Sequence, residues 1–199
     1  MANRIETIPP INLSGSLLVA APDWQDKVFA QTVCLVVHHS SQRAIGVVLN
    51  RHLPVPAKQL LQKLAGESSG EQTLPAGAAI HFGGPQAGPV VAMHNRQELA
   101  EFTSAEGVYL AAQIQNLQQL VASPTSDSQV KIIVGQADWA AGELDRQFTQ
   151  GKWLPLPVSA GLVFADDSHM WRQAMLDIGD IIVTNMAGAR VCPPDILTN

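Results

Sequence analysis

The apolar positions of this chain fall mostly into short runs. Val33-Cys34-Leu35-Val36-Val37 and Ile45-Gly46-Val47-Val48-Leu49 flank a polar connection. Runs this short and this rich in β-branched residues predict two strands covered on both faces, paired as a hairpin at the centre of a sheet. Ser16 to Ala20 predicts a strand before them, stopped at Ala21-Pro22-Asp23 because proline biases its predecessor to extended geometry. Ile80-His81-Phe82, Pro89 to His94, Val108-Tyr109-Leu110, Val130 to Val134 and Gly161 to Phe164 predict further strands. Helical spacing appears in Ala57, Leu60, Leu61 and Leu64, closed by Gly66, and again in Ile114, Leu117, Leu120 and Val121. Leu144 and Phe148 form an (i, i+4) pair on a helix predicted to start at an Asp138 N-cap and run through Thr149. Trp171, Ala174, Met175 and Ile178 mark the inner face of a last helix, capped by Asp166-Asp167-Ser168.

Strands and helices intermixed in this way predict an α+β fold, with a mixed, largely antiparallel sheet flanked by helices. Residues 1–199 read as a single domain, and the Lys58 to Gly77 region has the makings of a small subsidiary lobe. Within it Glu67 to Gly77 is the most linker-like stretch, polar and rich in glycine and serine. Composition narrows the function classes. The chain carries 12 Lys+Arg against 17 Asp+Glu, a net charge of -5, and its cations are scattered singly, so direct nucleic-acid binding is not expected. No run approaches the ~18 apolar residues of a membrane span, and the N-terminus has no apolar signal core. Two distant cysteines, Cys34 and Cys192, predict no disulfide framework and a reducing, cytoplasmic setting.

Candidate chemistry gathers where the central strand leaves the core. Asn50 and Arg51 are the first polar groups after the second buried run, and a guanidinium there offers a fork of donors to a carboxylate or phosphate. The alternative is a turn-forming Asn50 and an ion-paired Arg51. Gly83-Gly84-Pro85 would bring backbone amides close to a ligand, or serve as a tight turn. The six histidines show no HExxH, no CxxC and no cysteine at metal spacing, and adjacent His38 and His39 would point to opposite faces of a strand. No metal site and no cofactor are therefore expected. Cys34 reads as a buried, inert thiol, and Asp166-Asp167 as helix capping. Trp24, in a polar loop, is a candidate anchor for a partner.

SGSLLVAAPDWQDKVFAQTVCLVVHHSSQRAIGVVLNR, then Gly83-Gly84-Pro85, GQADWAAGELDRQFTQGKWL, Leu162-Val163-Phe164 and Met170-Trp171 together resemble the YqgE/AlgH family of bacterial proteins, from about Leu13 to Ile178. Gln136-Ala137-Asp138 and Gln86 depart from the usual family pattern at two loops. The resemblance implies a mixed α+β fold and a cytoplasmic protein linked to transcriptional regulation, including of alginate production, without an agreed biochemical activity. The expectation is a non-enzymatic regulatory or binding protein acting through a protein partner or a small ligand. The alternative is an enzyme for a small anionic or phosphorylated substrate at Asn50, Arg51, Gly83 and Gly84.

Overall fold

A computed structural model describes residues 12–53, 79–123 and 125–188, and among these described residues nine strands and four α-helices follow one another. The strands are β1 (Ser16–Ala20), β2 (Val33–His39), β3 (Arg43–Val48), β4 (Ala79–Phe82), β5 (Gln86–His94), β6 (Phe102–Ala105), β7 (Val108–Ala111), β8 (Val130–Ala140) and β9 (Trp153–Pro157). The helices are α1 (Ile114–Ala122), α2 (Glu143–Thr149), α3 (Ala160–Val163) and α4 (Asp167–Gly188). One sheet runs β6-β7-β5-β8-β3-β2-β1-β9, with β4 beside the first half of β8. Every pairing is antiparallel except β4 with β8. The expected mixed, largely antiparallel sheet is thus present, with the β2–β3 hairpin near its middle. The predicted helix at Ala57 to Ala65, the Glu67 to Gly77 stretch and the subsidiary lobe lie outside the described residues. Among the described residues no helix is long and apolar enough to cross a membrane.

The hairpin is central because both of its faces are apolar. Alternation sends Leu35 and Val33 toward α3 and α4, where they pack with Leu162, Met170, Ala174 and Ile178. It sends Cys34 and Val36 to the other face, against Trp139, Leu144 and Trp153. Burial pushes the Cys34 thiol up, out of the range of a reactive thiolate. A third core lies under α1, where Leu117, Leu120 and Val121 cover Ile80, Ala92 and Ile132.

Four elements differ from the pattern-based expectation. β8 does not stop at Gly135 but continues to Ala140, because Asp138 pairs with Arg43 across the β3 edge at 2.5 Å. The following helix starts at Glu143, after Gly142 at φ 68°. Residues 160–163 are helical rather than extended. Ser159 Oγ accepts from Leu162 N–H at 3.4 Å, and a short apolar run does not by itself distinguish strand from helix. Phe102–Ala105 forms a strand paired with β7 that the apolar pattern did not predict.

Between β8, β9 and α2 lies an aromatic cluster with a single polar clasp. The indole N–H groups of Trp139 and Trp153 both donate to Gln147 Oε1, at 3.0 and 2.9 Å. Both tryptophans are buried, so no water is available to replace that oxygen. Gln147→Leu should therefore destabilise the fold by about 2 kcal/mol, the cost of stranding two buried donors against a gain in apolar packing. Urea denaturation checks this, and an unchanged midpoint would show that the clasp contributes nothing.

Candidate functional site

The chain leaving β3 continues alongside β4. Phe82 N–H donates to the Arg51 carbonyl at 2.7 Å, and Leu53 N–H to the Ile80 carbonyl at 2.9 Å. Those two bonds flank His52 and His81 and make them a non-hydrogen-bonded antiparallel pair, the kind whose side chains stand closest. Their imidazoles stack, with centroids 5.3 Å apart. β8 runs parallel to β4 with Lys131 opposite Ala79 and Ile133 opposite His81, so Lys131 and His81 project from the same face of the sheet. The first residue of α4 supplies the fourth group. Asp166 accepts from Ser168 N–H at 2.9 Å as the helix cap, which leaves the Asp167 carboxylate free to point back at the sheet.

There it closes the cluster. Asp167 Oδ1 accepts from Lys131 Nζ. Asp167 Oδ2 lies 2.9 Å from His52 Nε2 and 2.8 Å from His81 Nε2. Lys131 donates further to the carbonyls of Leu49 at 3.4 Å and Ala165 at 3.5 Å. The cluster lines a cavity of about 190 Å³ together with Phe164, Ala165 and Asp166. Its floor is buried: the side chains of His81 and Lys131 are 1% and 8% exposed, whereas His52 is 65% exposed at the mouth. Burial alone would raise the Asp167 pKa. Hydrogen bonds from His81 and Lys131 and the lysine charge outweigh that and hold it down at about 2.

The ligand and partner residues singled out from the sequence are not among those lining this cavity. Asn50 stitches two strand ends, accepting from Val33 N–H and donating to the Gln31 carbonyl, both at 3.0 Å. Arg51 turns away and donates to the Ala30 carbonyl at 2.7 Å. Gly83 and Gly84 cross β8 so closely that a β-carbon on either would stand 2.3 or 2.2 Å from the backbone of Gly135 or Gln136. That approach is a packing reason for glycine at both positions. Trp24 is half-buried, stacked at 5.8 Å on Phe29 and edge-on at 4.9 Å to Trp153. The four clustered side chains come from positions 52, 81, 131 and 167, a separation that no linear motif reveals. One signal was present in the sequence: Lys131 interrupts an otherwise apolar buried strand, and a lysine there needs a partner.

The ligand atoms of His52, His81 and Asp167 all lie within 4.8 Å of one another, a grouping that could hold a metal ion.

Comparison with known proteins agrees with this architecture. A family model described as AlgH-like matches residues 17–182. A UPF0301 protein of Chlamydia caviae is 30% identical over 191 residues, covering 93% of this chain and 94% of its own length. One of Nitrosomonas eutropha is 31% identical over 157 residues, covering 77% and 83%. Among solved structures, the solution structure of the AlgH protein from Pseudomonas aeruginosa superposes with a TM-score of 0.66 at 22% identity, over 92% of this chain and 97% of that one. The crystal structure of a protein from Corynebacterium diphtheriae gives 0.64 at 22% identity, over 87% and 90%. At that identity the likeness is one of fold, and none of these names states an activity.

The cluster has a pH signature. A carboxylate whose folded pKa is depressed to about 2 from 3.8 contributes stability that is complete above its unfolded pKa and is lost as pH falls through the folded one, on the order of 2 kcal/mol. His94, buried and held near 4 by desolvation, also favours the folded state at higher pH, and its contribution disappears between about 6.5 and 4. Asp167→Asn should destabilise strongly at pH 7, by about 3 kcal/mol, because it leaves Lys131 buried without its counter-charge. The gap between wild type and variant should hold down to about pH 4 and narrow toward pH 2. Denaturant titrations across that range check it, and a gap independent of pH would remove Asp167 as the acid-sensitive group.

Proposed function

Starting from the fact that this chain belongs to the AlgH-like family, we propose that it is a non-enzymatic regulatory protein that works by binding a small polar ligand in the His52–His81–Lys131–Asp167 cavity. The observation that carries this reading is the convergence of four ionisable side chains from four separate segments on one small cavity. Desolvating such groups is costly, and clusters of that kind concentrate at functional sites. At about 190 Å³ the space suits an ion or a very small molecule and is below the size of sites for larger ligands, roughly 300–1,000 Å³. Among the described residues that line it there is no serine, threonine or cysteine, and Lys131 and Asp167 are engaged with each other, so the arrangement favours binding over covalent chemistry. A small ligand is favoured over a partner docked on Trp24, because that ring is occupied within the aromatic cluster. With a net charge of -5, regulation would pass through the ligand-bound protein to other molecules, and not through direct contact with DNA.

A screen of small polar probes (acetate, inorganic phosphate, sulfate, imidazole and divalent metal salts), followed by the histidine ring resonances in NMR spectra, tests the reading. At least one probe should shift the signals of His52 and His81, and His52→Ala should abolish the shift at His81 without altering the rest of the spectrum. Silence from every probe, or an undiminished shift in the variant, would place the ligand elsewhere or remove it.

A further inference from the structure

We propose that the ligand of this cavity is a divalent transition-metal ion, zinc being the one its donors fit best, held by His52 Nε2, His81 Nε2 and Asp167 Oδ2. The inference rests on the reading that this cavity is the binding site and gives that ligand a chemical class.

The first argument is a charge count. Lys131 already neutralises Asp167 through Oδ1, so burying the carboxylate needs no further compensation. Two imidazole nitrogens nonetheless converge on its other oxygen, at 2.9 and 2.8 Å. They arrive there from a cross-strand pair whose backbone sets the two rings side by side. Three ligand atoms gathered on one point, beyond what the ion pair requires, are an arrangement a metal ion can use.

The second argument is metric. Zinc bound tetrahedrally at ~2.0–2.1 Å from nitrogen and oxygen holds neighbouring ligand atoms roughly 3.3 Å apart. The nitrogen–oxygen separations here would open by about half an ångström to admit it, and no pair of the three atoms exceeds 4.8 Å. Rotation of the exposed His52 ring supplies that movement, while His81 stays fixed in the core. On loading, each Nε2 gives up its hydrogen bond to Asp167 and presents a lone pair, the ring proton then residing on Nδ1.

The third argument is selectivity. Two imidazoles and one carboxylate make a mixed nitrogen–oxygen set, suited to zinc and its neighbours and poorly suited to calcium or magnesium, which take mostly oxygen. The mouth beside His52 leaves room for a further ligand from solvent or from a bound molecule. Lys131 acts as a positioning residue. It holds Asp167 through Oδ1, so that Oδ2 faces the two rings, and its own charge tempers the affinity for a dication.

Calorimetric titration of chelator-treated full-length protein with zinc chloride, paired with the absorption spectrum of the cobalt(II) form, tests the proposal. The expected result is one equivalent bound with the visible bands of a four-coordinate cobalt site. His52→Ala, at an exposed position that should leave folding intact, should weaken binding at least about tenfold. His169→Ala, which removes an exposed imidazole outside the set, should change nothing. Absence of binding, or binding that His52→Ala leaves intact, overturns the proposal. If zinc fails while another probe still shifts His52 and His81, the metal assignment falls and the cavity remains the ligand site. If neither binds, both readings fall.

Discussion

The ion pair between Lys131 and Asp167 is the contact on which this site depends. A lysine inside a buried strand is tolerable only with a counter-charge, and removing either partner leaves an uncompensated charge in the core. Asp167 meets that need from the first turn of α4, where a carboxylate also complements the helix dipole. The pair therefore ties the start of α4, the longest helix among the described residues, to the middle of the sheet. It also orients the carboxylate, with one oxygen on the lysine and the other on two histidines.

Everything else in the site follows from sheet register. β4 enters parallel beside β8, and the chain after β3 returns antiparallel beside β4. These two registers place His52, His81 and Lys131 on one face. A slip of one residue in either strand would turn its side chain to the other side. The close crossing of Gly83 and Gly84 over Gly135 and Gln136 helps to fix that register, so these glycines support the site through backbone geometry without lining the cavity.

The central hairpin, the helical faces of α1 and α2 and the family were legible from the sequence because each rests on local periodicity or on ordered blocks of residues. The helical state of Leu162 and Val163 was not, since four residues carry too little periodicity and a Ser159 cap decides the matter. The continuation of β8 past Gly135 was hidden for a different reason: Asp138 looks like a helix cap until Arg43 is seen across the sheet. As to the site, attention to the point where β3 leaves the core led to Asn50 and Arg51, immediately before His52, and to Gly83, two residues after His81. The residues that turn into the cavity are their neighbours, and only long-range register decides which of adjacent positions points inward. Asp167 was explained by capping alone, although Asp166 carries that role.

The account turns on whether one carboxylate holds both imidazoles at once. Nitrogen-15 NMR of the side chains of His52 and His81 in chelator-treated protein reads this directly, because the two ring nitrogens report which of them carries the proton. Both rings should show a single tautomer protonated at Nε2, locked toward Asp167, with the assignment reversed to Nδ1 when zinc is added. Rings that average freely between tautomers, and that zinc leaves unchanged, would contradict the cluster as described.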